Sequence, residues 1–90
     1  MLAITQQPVN VSAKAGDSVK FTVKSKGMDL TYQWYFKKKG QTAWTKWNGH
    51  TTASTTATAN ATWNRMQVRC IVTDGAGNKV TSNAVTITIK

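Results

Sequence analysis

Apolar and polar residues alternate at period two along most of the chain, and turn residues cut that alternation into short runs, the pattern of half-buried strands. The clearest run is Leu30 to Lys37, with Leu30, Tyr32, Trp34 and Phe36 on one face and Thr31, Gln33, Tyr35 and Lys37 on the other. Val19, Phe21 and Val23 alternate against Lys20, Thr22 and Lys24; Met66, Val68, Cys70 and Val72 alternate against Gln67, Arg69 and Ile71. A last run, predicted over 80–89, places Val85, Ile87 and Ile89 inward. The first strand opens at Ile4 and must break at Gln7-Pro8, because proline has no N–H to give a ladder, before resuming through Val9, Val11 and Ala13. Two further strands are predicted from weaker patterns: a short one over 43–47, and one over 51–62 with Ala57, Ala59 and Ala61 inward between threonines. The reading is an all-β chain of about seven strands. Its predicted core is Val19, Phe21, Val23, Tyr32, Trp34, Val68, Cys70, Val72, Val85 and Ile87.

Composition strengthens that picture. Leucine occurs only at Leu2 and Leu30 and glutamate is absent, so the chain is poor in helix formers, while threonine and valine suit a pleated surface. Ninety residues make one domain, 1–90. No apolar run approaches the roughly 20 residues of a membrane helix, and the start Met1-Leu2-Ala3-Ile4 is too short for a signal-peptide core, so an export signal is expected to lie outside this stretch. One cysteine cannot close an internal disulfide; between Val68 and Val72, Cys70 is expected to be a buried apolar residue rather than a reactive thiol. Twelve Lys and Arg against three Asp leave a net charge of +9, which draws the chain toward polyanions at low salt whatever its purpose.

Trp34 lies eleven residues after Val23 and thirty-six before Cys70. With Ile4-Thr5-Gln6-Gln7-Pro8, the run 15–23, Leu30-Thr31-Tyr32-Gln33-Trp34, the run 68–74, Gly77-Asn78 and Ser82-Asn83-Ala84-Val85-Thr86, that spacing resembles the bacterial immunoglobulin-like domains found in tandem on large cell-surface proteins. The resemblance covers nearly the whole chain. It implies an immunoglobulin-like two-sheet Greek-key sandwich and an extracellular or cell-surface parent protein. It further implies a non-catalytic role as spacer or adhesion unit beside neighbouring domains, with no cofactor. Two positions depart from the pattern: Val23 stands where a paired cysteine is usual, and Val68 where a corner tyrosine is usual. Ala59 and Ala61 are small for a buried strand, with Trp63 and Met66 the candidates to fill the space beside them.

Candidate chemistry concentrates in one region. Trp44 and Trp47 lie beside a lysine-rich turn, and with Tyr35, Lys37, Lys38, Lys39, Lys46 and Arg69 they form a candidate site for a carbohydrate or an anionic wall polymer, since sugars stack on indoles and lysines pair with acids. Residues three apart in a strand point to opposite faces, which argues against Trp44 and Trp47 sharing one platform. Lys20, Lys24 and Lys26 form a second basic group without aromatic neighbours, so a specific nucleic-acid groove is not expected. His50, alone beside Gly49, reads as a surface turn residue, and Asp17, Asp29 and Asp74 fall in three different turns, so neither a metal site nor a catalytic acid and base pair is expected. Membrane insertion is not expected, and the domain is expected to be a monomer.

Overall fold

Among the described residues the alternating runs form ten strands, β1 (Ala3–Gln6), β2 (Val11–Ala13), β3 (Ser18–Thr22), β4 (Lys24–Lys26), β5 (Thr31–Lys37), β6 (Thr45–Lys46), β7 (Ser54–Thr58), β8 (Met66–Thr73), β9 (Lys79–Thr81) and β10 (Val85–Ile89), with one 3-10 turn at Ala61–Trp63. These come from a computed structural model that describes residues 2–90. One sheet has the order β2-β10-β8-β5-β6, with β9 also paired to β8. Against it lie the pairs β1–β4 and β3–β7. β3 and β4 are one strand interrupted at Val23, whose N–H still reaches Ala53 O at 2.9 Å, so these pairs make a second layer. The protein is therefore all-β and sandwich-like.

The core fills the space between the layers. Val19, Phe21 and Val23 come from one side and Trp34, Met66, Val68, Cys70, Val72, Val85 and Ile87 from the other. Trp34 is fully buried, its ring 6.1 Å from Phe21, and its Nε1–H donates to Thr52 O at 2.7 Å. Burial of each such ring contributes roughly 2–3 kcal/mol, and the hydrogen bond removes the cost of hiding the indole N–H. Cys70 is buried as expected, and desolvation pushes its thiol pKa up to about 11.

Four expectations change, each for a local reason. Tyr32 is half-buried, packing against the core rather than within it, and its hydroxyl reaches Ser25 Oγ of β4 in the other layer at 3.1 Å. Val9 is 71% exposed while Pro8 takes the buried place; Gln7 and Asn10 side chains accept the N–H groups of Asn83 and Thr86, bridging the kink. The strand predicted over 51–62 shortens to β7, and Ala61 enters the exposed 3-10 turn that Asn60 caps through Thr62 N–H. The run 80–89 divides into β9 and β10 at Ser82, whose buried hydroxyl accepts the Cys70 N–H at 2.8 Å and replaces a ladder rung.

The two ends of the described chain lie at opposite ends of the strands. Ala3 pairs with Lys26, beyond the far end of β3, whereas Lys90 N–H donates to Ala13 O, just before β3 begins. The domain measures 40 × 24 × 20 Å.

Candidate functional site

The β5–β6 register decides what the tryptophans do. Tyr35 faces Lys46 and Phe36 faces Thr45. One step further in each direction sets Lys37 opposite Trp44 and Trp34 opposite Trp47, where Trp47 N–H donates to Trp34 O at 2.9 Å. Alternation therefore turns Trp47 inward and Trp44 outward.

Trp47 belongs to an apolar cluster. Its ring meets Phe36 and Trp63 edge-on at 5.8 Å each and stacks on His50 at 4.1 Å. The Gln33 amide holds the segment in place, donating to the carbonyls of Trp34 and Trp47 at 2.9 Å. Gly49, at φ 84, then turns the chain so that His50 returns over the indole. His50 is thus not the surface turn residue the sequence suggests: it is half-buried, its Nδ1 is hydrogen-bonded to Thr55 Oγ1, and desolvation lowers its pKa below 6.5. Met66 and Ala59 belong to the buried core, and Trp63 packs against it. An apolar recess of about 220 Å³ lies between Phe36, Trp47, Trp63 and Met66, with Lys38 at its side.

Trp44 stands on the other face of the sheet. The Arg69 guanidinium carbon lies 4.3 Å from its ring centroid and Lys37 Nζ 5.2 Å, both cation–π contacts. Tyr35 is opposite Arg69 in β8 and opposite Lys46 in β6, so Tyr35, Lys37, Trp44, Lys46 and Arg69 share this outer face. Arg69 Nε is buried there without a hydrogen-bond partner. A guanidinium already covers the indole, so this surface offers cations to a ligand more readily than it offers a bare stacking plane.

Lys38 and Lys39 fall elsewhere. They lie in the turn after β5, closed by Gln41 N–H to Lys38 O at 3.0 Å and by Lys38 N–H to Gln41 Oε1 at 3.2 Å. With Lys37, Gln41, Arg65 and Gln67 they line a recess of about 200 Å³ at the edge of the outer face. Arg65 and Gln67 did not stand out in the sequence, although Arg65, Gln67 and Arg69 recur at period two, the signal that would have placed them together.

The acids are kept away from both places. Asp17 accepts the Lys14 N–H at 3.1 Å, while Asp29 and Asp74 line a different recess with Leu2 and Met28. The Asn78 side-chain amide, with the N–H groups of Asn78 and Ala76, holds the Asp74 carboxyl below its usual range. Among the described residues no three His, Cys, Asp or Glu converge as metal ligands.

No family model and no curated protein matches this chain. Thirty-five chains of solved structures do match it. One comes from a study of the structural basis of T cell specificity and activation by the bacterial superantigen toxic shock syndrome toxin-1. It superposes with a TM-score of 0.66 at 12% identity, covering 100% of this chain and 98% of that one. At that identity the likeness is one of fold, shared across the whole domain.

Proposed function

We propose that the chain is an immunoglobulin-like Greek-key domain serving as a non-catalytic spacer or adhesion unit of a larger bacterial protein displayed outside the cell. The observation that carries this reading is the placement of the chain ends. The chain enters beside Lys26, leaves beside Ala13, and β2 runs parallel to β10 through Val11, Ser12 and Ala13. Tension along such a chain loads the β1–β4 and β2–β10 ladders in shear, where several hydrogen bonds must break together rather than one at a time. Force spectroscopy tests this: the domain should resist higher force when pulled by its two ends than when pulled across the β8–β9 hairpin. Equal resistance in the two geometries would remove the mechanical argument.

A second reading has its own support in the outer face, where Trp44, Lys37 and Arg69 form a stacked cationic group beside Lys46 and Tyr35. On this reading the domain binds an anionic surface polymer. Tryptophan fluorescence titrations with neutral glycans, acidic glycans and a short DNA, at low and physiological salt, separate the two. Saturable binding of an acidic glycan that survives physiological salt favours recognition; salt-sensitive binding to every polyanion alike favours the spacer.

A further inference from the structure

The basic recess at the edge of the outer face is lined by four basic residues, Lys37, Lys38, Lys39 and Arg65, with Gln41 and Gln67 beside them; the Lys37 ammonium itself lies over Trp44. None of the three acidic residues lines it. Like charges gathered in one concave place repel one another unless an anion enters. The recess also contains no aromatic side chain, so it has no surface for stacking a sugar ring or a base.

Arg65 is the informative member. Its φ of 64 lies in the left-handed region that asparagine and glycine occupy readily and arginine does not. Its backbone is fixed there from both sides: Arg65 N–H donates to Ile87 O at 2.8 Å, and the preceding Asn64 side chain accepts the Ile89 N–H at 3.0 Å. Across the recess, Gly40 at φ 87 and the paired Lys38 and Gln41 close the lysine turn tightly. Two turns thus bring Arg65, Lys38 and Lys39 to the lining of one recess.

We propose that this recess binds a phosphate or sulfate group carried on a linear polymer. A guanidinium fork and ammonium groups supply charge-assisted donors to the oxygens of a tetrahedral anion, and the two glutamine amides add neutral donors at the rim. The site goes beyond the outer-face reading, since it uses Arg65 and Gln67 and needs no contact with Trp44.

The test is an NMR titration of the domain in about 0.15 M salt, where diffuse attraction is largely screened. The probes are inorganic tripolyphosphate, a sulfated hexasaccharide and, for comparison, polygalacturonate. Saturable shifts confined to the amides of Lys38, Lys39, Arg65 and Gln67 are expected with one or both of the first two probes, and which of them binds more tightly distinguishes phosphate from sulfate. The double variant Arg65→Gly, Lys39→Gln should bind at least about tenfold more weakly, the loss expected for two charge-assisted contacts. Glycine accepts the left-handed conformation, so that variant keeps the fold; Lys38→Gln with Lys39→Gln provides a second version that leaves the Arg65 turn untouched. Lys20→Gln with Lys24→Gln removes the same charge from the other layer and should leave affinity within about twofold. Equal weakening by the strand β3 and β4 variant, tighter binding of the carboxylate polymer, or no saturable shift with any probe overturns the proposal. Weakening by Trp44→Ala with the recess variants unaffected would assign binding to the outer face instead.

Discussion

Trp44 and Trp47 have the same side chain, lie three residues apart on one short segment, and lead opposite lives. Trp47 is flanked by Phe36, Trp63 and His50 and packs against the core. Trp44 lies on the outer face under Arg69 and Lys37 and completes nothing. The difference comes from parity alone: opposite Trp34 a residue joins the core, and opposite Lys37 it joins the surface. A slip of one residue in this register would exchange them, which is why the Gln33 amide bonds to Trp34 and Trp47 carry more structural weight than their number suggests.

The largest break in this comparison is Trp47→Ala. Truncating a packed tryptophan costs about 3–5 kcal/mol when the site cannot collapse, and the rigid ladder on one side of Trp47 limits collapse. Urea denaturation should show a loss in the lower part of that range, because Trp47 is half-buried. In a domain of this size such a loss is a large fraction of the whole stability. Trp44→Ala should leave the midpoint close to that of the parent chain.

Val23→Cys sharpens the comparison from the other direction. Val23 and Cys70 are both fully buried in facing layers, and the immunoglobulin-like reading places a disulfide between these positions. The oxidised variant should gain about 2–4 kcal/mol and lose its free thiol, as read by denaturation and thiol titration. The parent Cys70, with its pKa at about 11, should stay unreactive until the chain unfolds. Combined with Trp47→Ala, the disulfide should return a cooperative transition, separating a damaged core from a lost fold.

A smaller effect follows from His50. Its folded pKa is lowered, so the native state favours the neutral ring and the unfolded chain binds the proton first. Stability should be full above pH 6.5 and should fall as pH drops from there through the lowered folded value. Thermal melts across that window should show the slope in the parent chain and lose it in His50→Asn. Trp44→Ala should keep the slope, since nothing at His50 touches the outer face.

The runs around Trp34 and Cys70 were legible in the sequence because the inward face of each strand keeps an apolar residue at every second position. Tyr35, Lys37 and Arg69 were legible as outward residues for the same reason. What stayed hidden depends on contacts between distant segments. Ser82 breaks the last run by accepting the Cys70 N–H on its hydroxyl, and His50 leaves the surface by stacking on Trp47. The left-handed turn at Arg65 is set by its bond to Ile87, and no local residue preference announces it.

The smallest effect on stability belongs to Trp44→Ala, and it separates two ways of using the outer face. Loss of the cation–π contacts removes about 1 kcal/mol at this half-buried site. The same substitution uncovers Arg69 Nε, now buried without a partner, and lets it bond to water, which offsets part of that loss. The net change in urea should therefore be under about 1 kcal/mol. Binding on this face need not follow stability. If Trp44 serves as a stacking plane for sugar, its removal abolishes binding of a neutral glycan. If the face acts through its cations, Trp44→Ala frees the guanidinium and leaves affinity for an acidic glycan almost unchanged, while Arg69→Gln weakens it. The 4.3 Å approach of Arg69 to the indole favours the second outcome, because a sugar would have to displace the guanidinium before it could stack.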